Sequence, residues 1–363
     1  MKRPDSSIPG IESLARGASR PGLLLVGNFF VTAGSHQVCL GLADSLEAIG
    51  WKVCRTSFFR LRPLRLAGMV LSVFLYRKAY QVALVELFSG LSFLWAEAVV
   101  SALRIVGKPI VLALHGGLLP EFSARYPGRV RRLLRSAAVV TSPSAFLAER
   151  MREFRSDIEI LPNPLDLTRF EFHPRDDPRP KLVWLRAFHE VYRPWLAVEV
   201  LGHLAAAYPR ARLTMYGPDK ADGSKEKTEA AIRRLDLEKR VSLGGAIPAE
   251  EVPSSLQDGD IFLNTSKVDN APRSVVEAMA CGLCVVSTNV GGVSHLMRDG
   301  TEGLLVAPDD PREMAGAVRR ILEEPALAAM LSRGGLEVAR KHDWAVVYPR
   351  WERLFHRILE STV

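Results

Sequence analysis

The chain has 363 residues, of which 48% are hydrophobic and 24% are charged. This length exceeds what one hydrophobic core usually organises, and this composition excludes a wholly disordered or fibrous chain. The net charge of +8 is unevenly placed, because residues 1–180 carry 24 Lys and Arg against 15 Asp and Glu. The basic first half indicates an anionic partner, such as a membrane surface, a phosphorylated substrate or nucleic acid.

Neither the cysteines nor the hydropathy indicate secretion or a membrane span. Four cysteines make no disulfide framework in a chain of this length, and the N-terminus does not resemble a secretion signal. The most apolar windows, 67–75 and 87–96, are too short to cross a bilayer. We therefore expect a cytoplasmic protein whose association with the inner face of the membrane, if it has one, is peripheral.

The first half predicts one α/β domain. Residues 1–20 are polar with scattered Gly and Pro and indicate a flexible leader. Short apolar segments then alternate with amphipathic ones, which predicts a parallel sheet covered on both faces. The predicted strands are 23–26, 51–56, 82–85, 110–114 and 138–141, and the predicted helices are 37–49, 91–106 and 129–136. Residues 21–170 thus form one doubly wound, Rossmann-like domain.

The second half repeats this pattern after a break. The stretch 161–180 contains five prolines and indicates a linker. The strands predicted after it are 182–185, 212–216, 241–243, 261–263 and 284–287, and the helices are 194–207, 225–235, 274–281 and 311–323. A second Rossmann-like domain over 171–343 follows, so that two doubly wound parallel sheets face each other across a cleft.

The strongest motif lies in the second domain, where seven residues separate Asp269 from Glu277 and Ala-Met-Ala-Cys-Gly follows. Ligands bind at the carboxyl ends of such strands, and a helix start offers unpaired N–H groups to phosphates. We expect Arg273, Ser274 and Val275 at this helix start to contact a ligand that carries phosphates and hydroxyls. The alternative is a capping acid followed by a solvated helical Glu.

This spacing resembles the E-x7-E signature of the retaining glycosyltransferases of family 4, also called group 1, which have the GT-B fold. In that family the second acid commonly holds the donor ribose and the first contacts the donor sugar, which implies these roles for Glu277 and Asp269. The sequence departs from the pattern by having Asp rather than Glu at 269. It also has Pro272 where the family often has Gly, which removes one backbone donor.

The resemblance spans nearly the whole chain. It includes Gly291-Gly-Val, Asp299-Gly-Thr-Glu-Gly, an inter-domain marker at 161–166 and a final helix at 344–358. It implies that residues 344–363 return to pack on the first domain.

The first strand-to-helix turn of the second domain holds further candidates. The family usually places an Arg and a Lys here, which neutralise the donor diphosphate as charge develops on it. Arg186 fits the Arg, whereas Tyr192 stands at the position of the Lys. Arg193 is either a substitute for that Lys or a solvated surface residue.

Two candidates come from the first domain. His115 ends a central strand before two glycines and resembles the family's strand-end His near the transferred sugar, although a lone His is often structural. Gly34 lies in the first βα turn, which in the resembling proteins approaches the donor phosphate and the acceptor; the alternative is a plain connection. The turn is no GxGxxG, which disfavours a nicotinamide enzyme.

Three other features have competing interpretations. Cys281 and Cys284 are compatible with redox chemistry, but their place between a helix and a strand favours apolar packing. The segment 58–78 combines arginines with aromatic and aliphatic residues, and either docks on anionic lipid or covers the sheet as an amphipathic helix. A second basic cluster consists of Arg125, Arg129, Arg131, Arg132 and Arg135. It binds lipid, binds a phosphate of the acceptor, or has neither role.

The resemblance implies transfer of a sugar from a nucleotide-diphosphate sugar, such as a UDP- or GDP-sugar, to a hydroxyl acceptor with retention at the anomeric carbon. The product class is a glycolipid, polysaccharide or other glycoconjugate, and a lipid-linked acceptor fits the basic first domain. The resemblance implies no cofactor or metal, because the leaving phosphate takes the acceptor proton while His115 orients and polarises. The alternatives are a nucleotide-sugar epimerase or sugar-phosphate synthase of related fold, and a non-catalytic nucleotide-sugar-binding protein. Nucleic acid is disfavoured, since no aromatic residues interleave a basic stripe.

Overall fold

The computed structural model of the protein describes residues 21–27, 29, 38–48, 50–56 and 61–361. The expected leader at 1–20, the candidate Gly34 and residues 57–60 lie outside these ranges. Two six-stranded sheets, both parallel throughout, organise the described chain. Parallel sheets need cover on both faces, and helices flank each of these sheets.

The first sheet has the strand order β2-β1-β3-β4-β5-β6. Its strands are β1 Gly22–Val26, β2 Lys52–Thr56, β3 Val82–Leu87, β4 Ile110–Leu114, β5 Val139–Ser142 and β6 Glu159–Ile160. The helices of this half are α1 Val38–Ala48, α2 Arg62–Leu75, α3 Leu91–Val106, α4 Leu119–Arg125, α5 Pro127–Arg135 and α6 Ala145–Met151. Every residue of β1 and β4 is buried, as their continuous apolar sequences predict.

The second sheet has the strand order β12-β11-β10-β7-β8-β9. Its strands are β7 Lys181–Leu185, β8 Arg212–Tyr216, β9 Val241–Gly245, β10 Ile261–Asn264, β11 Cys284–Thr288 and β12 Leu304–Val306. Its helices are α7 Pro194–Leu204, α8 Ser224–Arg234, α9 Val252–Gln257, α10 Arg273–Ala280, α11 Val293–Leu296, α12 Pro311–Glu323 and α13 Pro325–Lys341. The predicted fold class, two doubly wound Rossmann-like sheets, is confirmed.

The last helix, α14 Trp344–Glu360, packs on the first sheet. Its Phe355 ring lies 5.4 Å from the ring of Trp51, centroid to centroid, and stacks on Trp351 at 5.6 Å. Full burial of such a side chain contributes about 1.5–3 kcal/mol. The chain therefore crosses between the domains twice, and the two crossings are hydrogen-bonded to each other through Leu165 N–H to His342 O (2.8 Å) and Trp344 N–H to Leu165 O (2.9 Å).

One predicted helix differs in an informative way. The helix expected at 129–136 is the second of a pair, because the chain breaks between α4 and α5 at Tyr126. A residue before proline is disfavoured in the helical conformation, and Tyr126 precedes Pro127. The second basic cluster is therefore divided between two helices.

Candidate active site

A cavity of about 730 Å³ lies between the two domains. Its walls come from loops at the carboxyl ends of strands in both sheets: residues 88–89 after β3, 115–118 after β4, 187–192 after β7, Lys220 after β8 and 268–271 after β10. Ligands bind at this edge of parallel α/β sheets. The candidates His115 and Asp269 line this one cavity from opposite domains, although 153 residues of chain separate them in sequence.

Asp269 forms a buried ion pair with Arg186. The Arg186 Nη2 donates to the Asp269 carboxylate, and the side chains are 17% and 9% exposed, respectively. The guanidinium also lies 4.7 Å from the centroid of the Tyr192 ring. Burial alone would lower the pKa of Arg186, but its acidic neighbours, led by Asp269, outweigh burial and raise that pKa. Arg186 is thus a permanent cation that contacts two residues of the cavity wall.

A glycine pair fixes the backbone of Asp269. The Gly292 N–H donates to the Asp269 carbonyl at 2.8 Å. A Cβ atom at Gly291 would lie only 2.0 Å from that carbonyl oxygen, and Gly291 has a left-handed φ of 55°. A residue with a side chain would displace Asp269, which explains why Gly291-Gly292 follows β11.

The other acid of the motif, Glu277, lies in α10 and is only 3% exposed. Arg273 Nε donates to its Oε1 at 2.8 Å, one helical turn away. The Ser274 hydroxyl beside them is buried, and within the described residues it has no hydrogen-bond partner. The Val275 N–H donates to Pro272 O at 3.1 Å, so the first turn of α10 already uses that predicted donor.

On the opposite wall, His115 contacts a carboxylate that was not among the predicted site residues. His115 Nε2 lies 3.6 Å from Glu86 Oε1, and the side chains are 12% and 8% exposed. The imidazole also stacks on Phe88, with 5.1 Å between ring centroids. Burial lowers the pKa of His115 to about 4, so the ring is neutral near pH 7. A neutral imidazole can donate a hydrogen bond without carrying a charge into the cleft.

The signal for Glu86 was present in the sequence. It is the single charged residue of the apolar strand Val82–Leu87, and it stands one position before the carboxyl end of that strand. Charged side chains at such positions reach the ligand-binding edge of the sheet.

The structure does not bring Arg193 to the cavity wall. Its guanidinium pairs with Asp309, and Arg193 is absent from the described residues that line the cleft. Other predicted site residues are also absent from that lining: Arg186, Arg273, Ser274, Val275 and Glu277. Arg186 reaches the cleft only through its contacts with Asp269 and Tyr192. Lys220, in the loop after β8, does line the cleft from the second domain. Lys220 was not predicted from the sequence, because no local pattern distinguishes it from the other exposed lysines of this region.

Cys281 and Cys284 have the environment of packing residues. Both are buried, and burial raises the pKa of each thiol to about 12. A thiolate is the reactive form, so these side chains are chemically inert at neutral pH. Across the described ranges, no helix is long and apolar enough to cross a bilayer.

Two family models match consecutive segments that together cover most of the chain. Glycosyltransferase Family 4 matches residues 38–169, and Glycosyl transferases group 1 matches residues 168–338. The chain belongs to the family 4 glycosyltransferases. The second match contains both acids of the motif and Arg186.

Two curated relatives show the range of these glycosyltransferases. One subunit of the phosphatidylinositol N-acetylglucosaminyltransferase of Arabidopsis thaliana is 31% identical over 172 residues, which are 46% of this chain and 36% of that protein. The 2-deoxystreptamine glucosyltransferase of Streptomyces kanamyceticus is 28% identical over 266 residues, 65% of this chain and 67% of that protein. The aligned part thus spans from about one third to two thirds of these relatives' own length.

Solved structures share the fold over nearly the full length. Sucrose-phosphate synthase from Thermosynechococcus elongatus has a TM-score of 0.80 at 18% identity, covering 94% of this chain and all of that one. Anabaena HepE in complex with UDP-glucose has a TM-score of 0.74 at 17% identity, covering 93% of this chain and all of that one. These structures show that this chain has the GT-B fold.

Proposed function

We propose that the chain is a retaining glycosyltransferase that moves a sugar from a nucleotide-diphosphate sugar to a hydroxyl acceptor in the synthesis of a glycoconjugate. One observation carries the proposal: His115 of the first domain and Asp269 of the second line the same cavity of about 730 Å³, at the edge where parallel α/β sheets generally bind ligands. A two-substrate transfer needs such a cleft, because donor and acceptor must meet with water held away.

The donor binds on the side of the second domain. Arg186 and Lys220 neutralise its diphosphate, Asp269 contacts the sugar, and the ribose reaches Glu277. The Ser274 hydroxyl, buried without a partner in the described part of the chain, supplies a further hydrogen bond to the nucleotide. A nucleotide sugar is supported by the similarly folded HepE, which was solved with UDP-glucose.

The reaction breaks the bond between the anomeric carbon and the phosphate oxygen and forms a bond from that carbon to the acceptor oxygen on the same face. The acceptor proton passes to an oxygen of the leaving diphosphate, so the protein supplies no strong base. Negative charge grows on the diphosphate as the bond breaks, and the fixed cation of Arg186 is placed to stabilise it. Neutral His115 orients the acceptor side, and the chemistry requires no metal.

Calorimetric titration with UDP, GDP, ADP and their sugar conjugates tests the donor site. We expect saturable one-to-one binding of one nucleotide, followed by transfer whose product keeps the donor's anomeric configuration by NMR. An inverted product would refute retention. A protein that binds donor but turns over none with a broad acceptor panel would fit the non-catalytic alternative, and failure to bind any nucleotide would refute the donor site.

A further inference from the structure

A second cavity, of about 490 Å³, opens beside the cleft in the first domain. Its volume lies in the range of about 300–1,000 Å³ typical of small-molecule sites. Helices α2 and α3 form its walls and the ends of β1 and β3 its floor, with Met69, Leu91, Trp95 and Val99 among the lining residues. We call it the side cavity, and its lining is mainly apolar.

The side cavity adjoins the cleft, because Glu86 and Phe88 line both of them. The Glu86 carboxylate stands at this junction, 3.6 Å from His115. A molecule that spans the junction therefore meets polar groups at its cleft end and mainly apolar side chains, together with Arg65 and Ser92, at its other end.

Apolar surface continues from the side cavity to the outside of the domain. Helix α2 buries Met69 and Val73 against the core. Four leucines on its other face are 52–66% exposed: Leu61, just before the helix, Leu64, Leu71 and Leu75. Their spacing of three, seven and four residues places them in one stripe. Leu91 and Leu94 of α3 are also exposed, at 63% and 45%.

We infer that the acceptor is an amphiphile whose hydroxyl end reaches Glu86 and His115 and whose alkyl chain occupies the side cavity. The inference rests on the proposed glycosyl transfer and adds the chemical class of the acceptor. A compact polar acceptor would leave the side cavity without an occupant. A long alkyl chain fills it and extends along the exposed leucines, which removes apolar surface from water.

The test compares n-octyl β-D-glucoside, kept below its micelle concentration, with methyl β-D-glucoside by calorimetry. Burying even three or four methylenes predicts binding of the octyl compound that is tighter by roughly 100-fold. Equal affinities of the two compounds would overturn the inference in the wild-type protein, without any variant.

A matched pair of variants on α3 locates the binding. Ser92 lines the side cavity, so Ser92→Phe fills part of it and should weaken octyl glucoside binding at least about 10-fold. Ser101→Phe, on the exposed part of the same helix, should leave binding unchanged. Octyl binding that survives Ser92→Phe, or that both variants abolish equally, would contradict the assigned location.

Nucleotide titration of the same variants separates this inference from the proposed function. Nucleotide binding without octyl preference overturns the alkyl site alone, whereas octyl preference without nucleotide binding overturns the donor site. Co-sedimentation with phosphatidylglycerol vesicles distinguishes the sources of the chain. A bilayer lipid predicts sedimentation that Leu71→Ser weakens, and a dispersed amphiphile predicts octyl binding without sedimentation.

Discussion

Replacing Arg186 by Met should separate the stability of the donor site from its affinity. Among the described residues, Arg186→Met leaves the Asp269 carboxylate, which is only 9% exposed, with one contact from the Ser266 hydroxyl at 3.3 Å. That hydroxyl donates over a shorter distance, 2.8 Å, to Asn264 Oδ1. Removing one partner of such a buried pair costs about 3–5 kcal/mol, because the other charge stays desolvated. For a domain of this size, this corresponds to a fall of very roughly 6–20 °C in the unfolding temperature of the second domain.

The double variant Arg186→Met, Asp269→Asn should recover most of that stability, since the amide needs no counter-ion and keeps the contact with Ser266. Nucleotide affinity should stay low in both variants, because neither has the cation that we propose to neutralise the diphosphate. Urea unfolding and calorimetric titration measure the two quantities on the same samples. Arg234→Met is the control, since it breaks an exposed pair with Glu199 that is expected to contribute no more than about 1 kcal/mol.

Two results would refute this reasoning. A loss of stability in Arg186→Met as small as that in Arg234→Met would show that the buried pair is not the source of the cost. Restored nucleotide affinity in the double variant would show that Arg186 affects the donor only through folding.

Three further predictions test other parts of the cleft. Burial lowers the pKa of His115 in the folded protein to about 4, against 6.5 ordinarily, so between these pH values the unfolded chain binds the proton more readily. The free energy of unfolding should therefore fall by about 3 kcal/mol as the pH drops from 6.5 to 4. In urea unfolding His115→Gln should lose this pH dependence, and an unchanged pH dependence would show that another group causes it. Lys220→Ala should weaken nucleotide-diphosphate binding about 3- to 10-fold in a salt-dependent manner, whereas Lys225→Ala on the surface of α8 should not; equal effects would remove the role of Lys220. Glu277→Gln should lower nucleotide affinity about 10-fold by calorimetry, and unchanged affinity would remove the ribose assignment.

Much of the fold could be predicted because most of its strands are short segments rich in apolar residues. The predictions 110–114 and 212–216 agree with β4 and β8 to the residue, and 91–106 and 311–323 agree with α3 and α12. Helix α2 was harder to predict from the sequence, because leucines on two of its faces obscure the 3.6-residue period. Helix α13 was not predicted at all, since small residues such as Ala and Gly in 325–341 give a weak apolar pattern.

The site was predictable where one local motif holds its members, and less so where the fold alone unites them. Asp269 and Glu277 share one loop and helix, so their spacing is visible in the sequence. Glu86 and Lys220 reach the cleft from β3 and the loop after β8, in different domains. No short pattern joins residues separated by more than a hundred positions, and only the packing of the two sheets shows that they face one cavity.

Two of the three departures from the family pattern, Asp269 and Tyr192, become related once the side chains are placed. An acid shorter by one methylene at 269 still reaches Arg186. Gly291 and Gly292 pack closely against the backbone of this loop. Tyr192 stands where the family usually has a Lys, and the Arg186 guanidinium stacks on its aromatic ring. Arg186 is therefore held in place before any ligand binds, and a diphosphate that displaces Asp269 from it must compete with a preformed ion pair. This competition offsets part of the attraction between Arg186 and the phosphates of the donor.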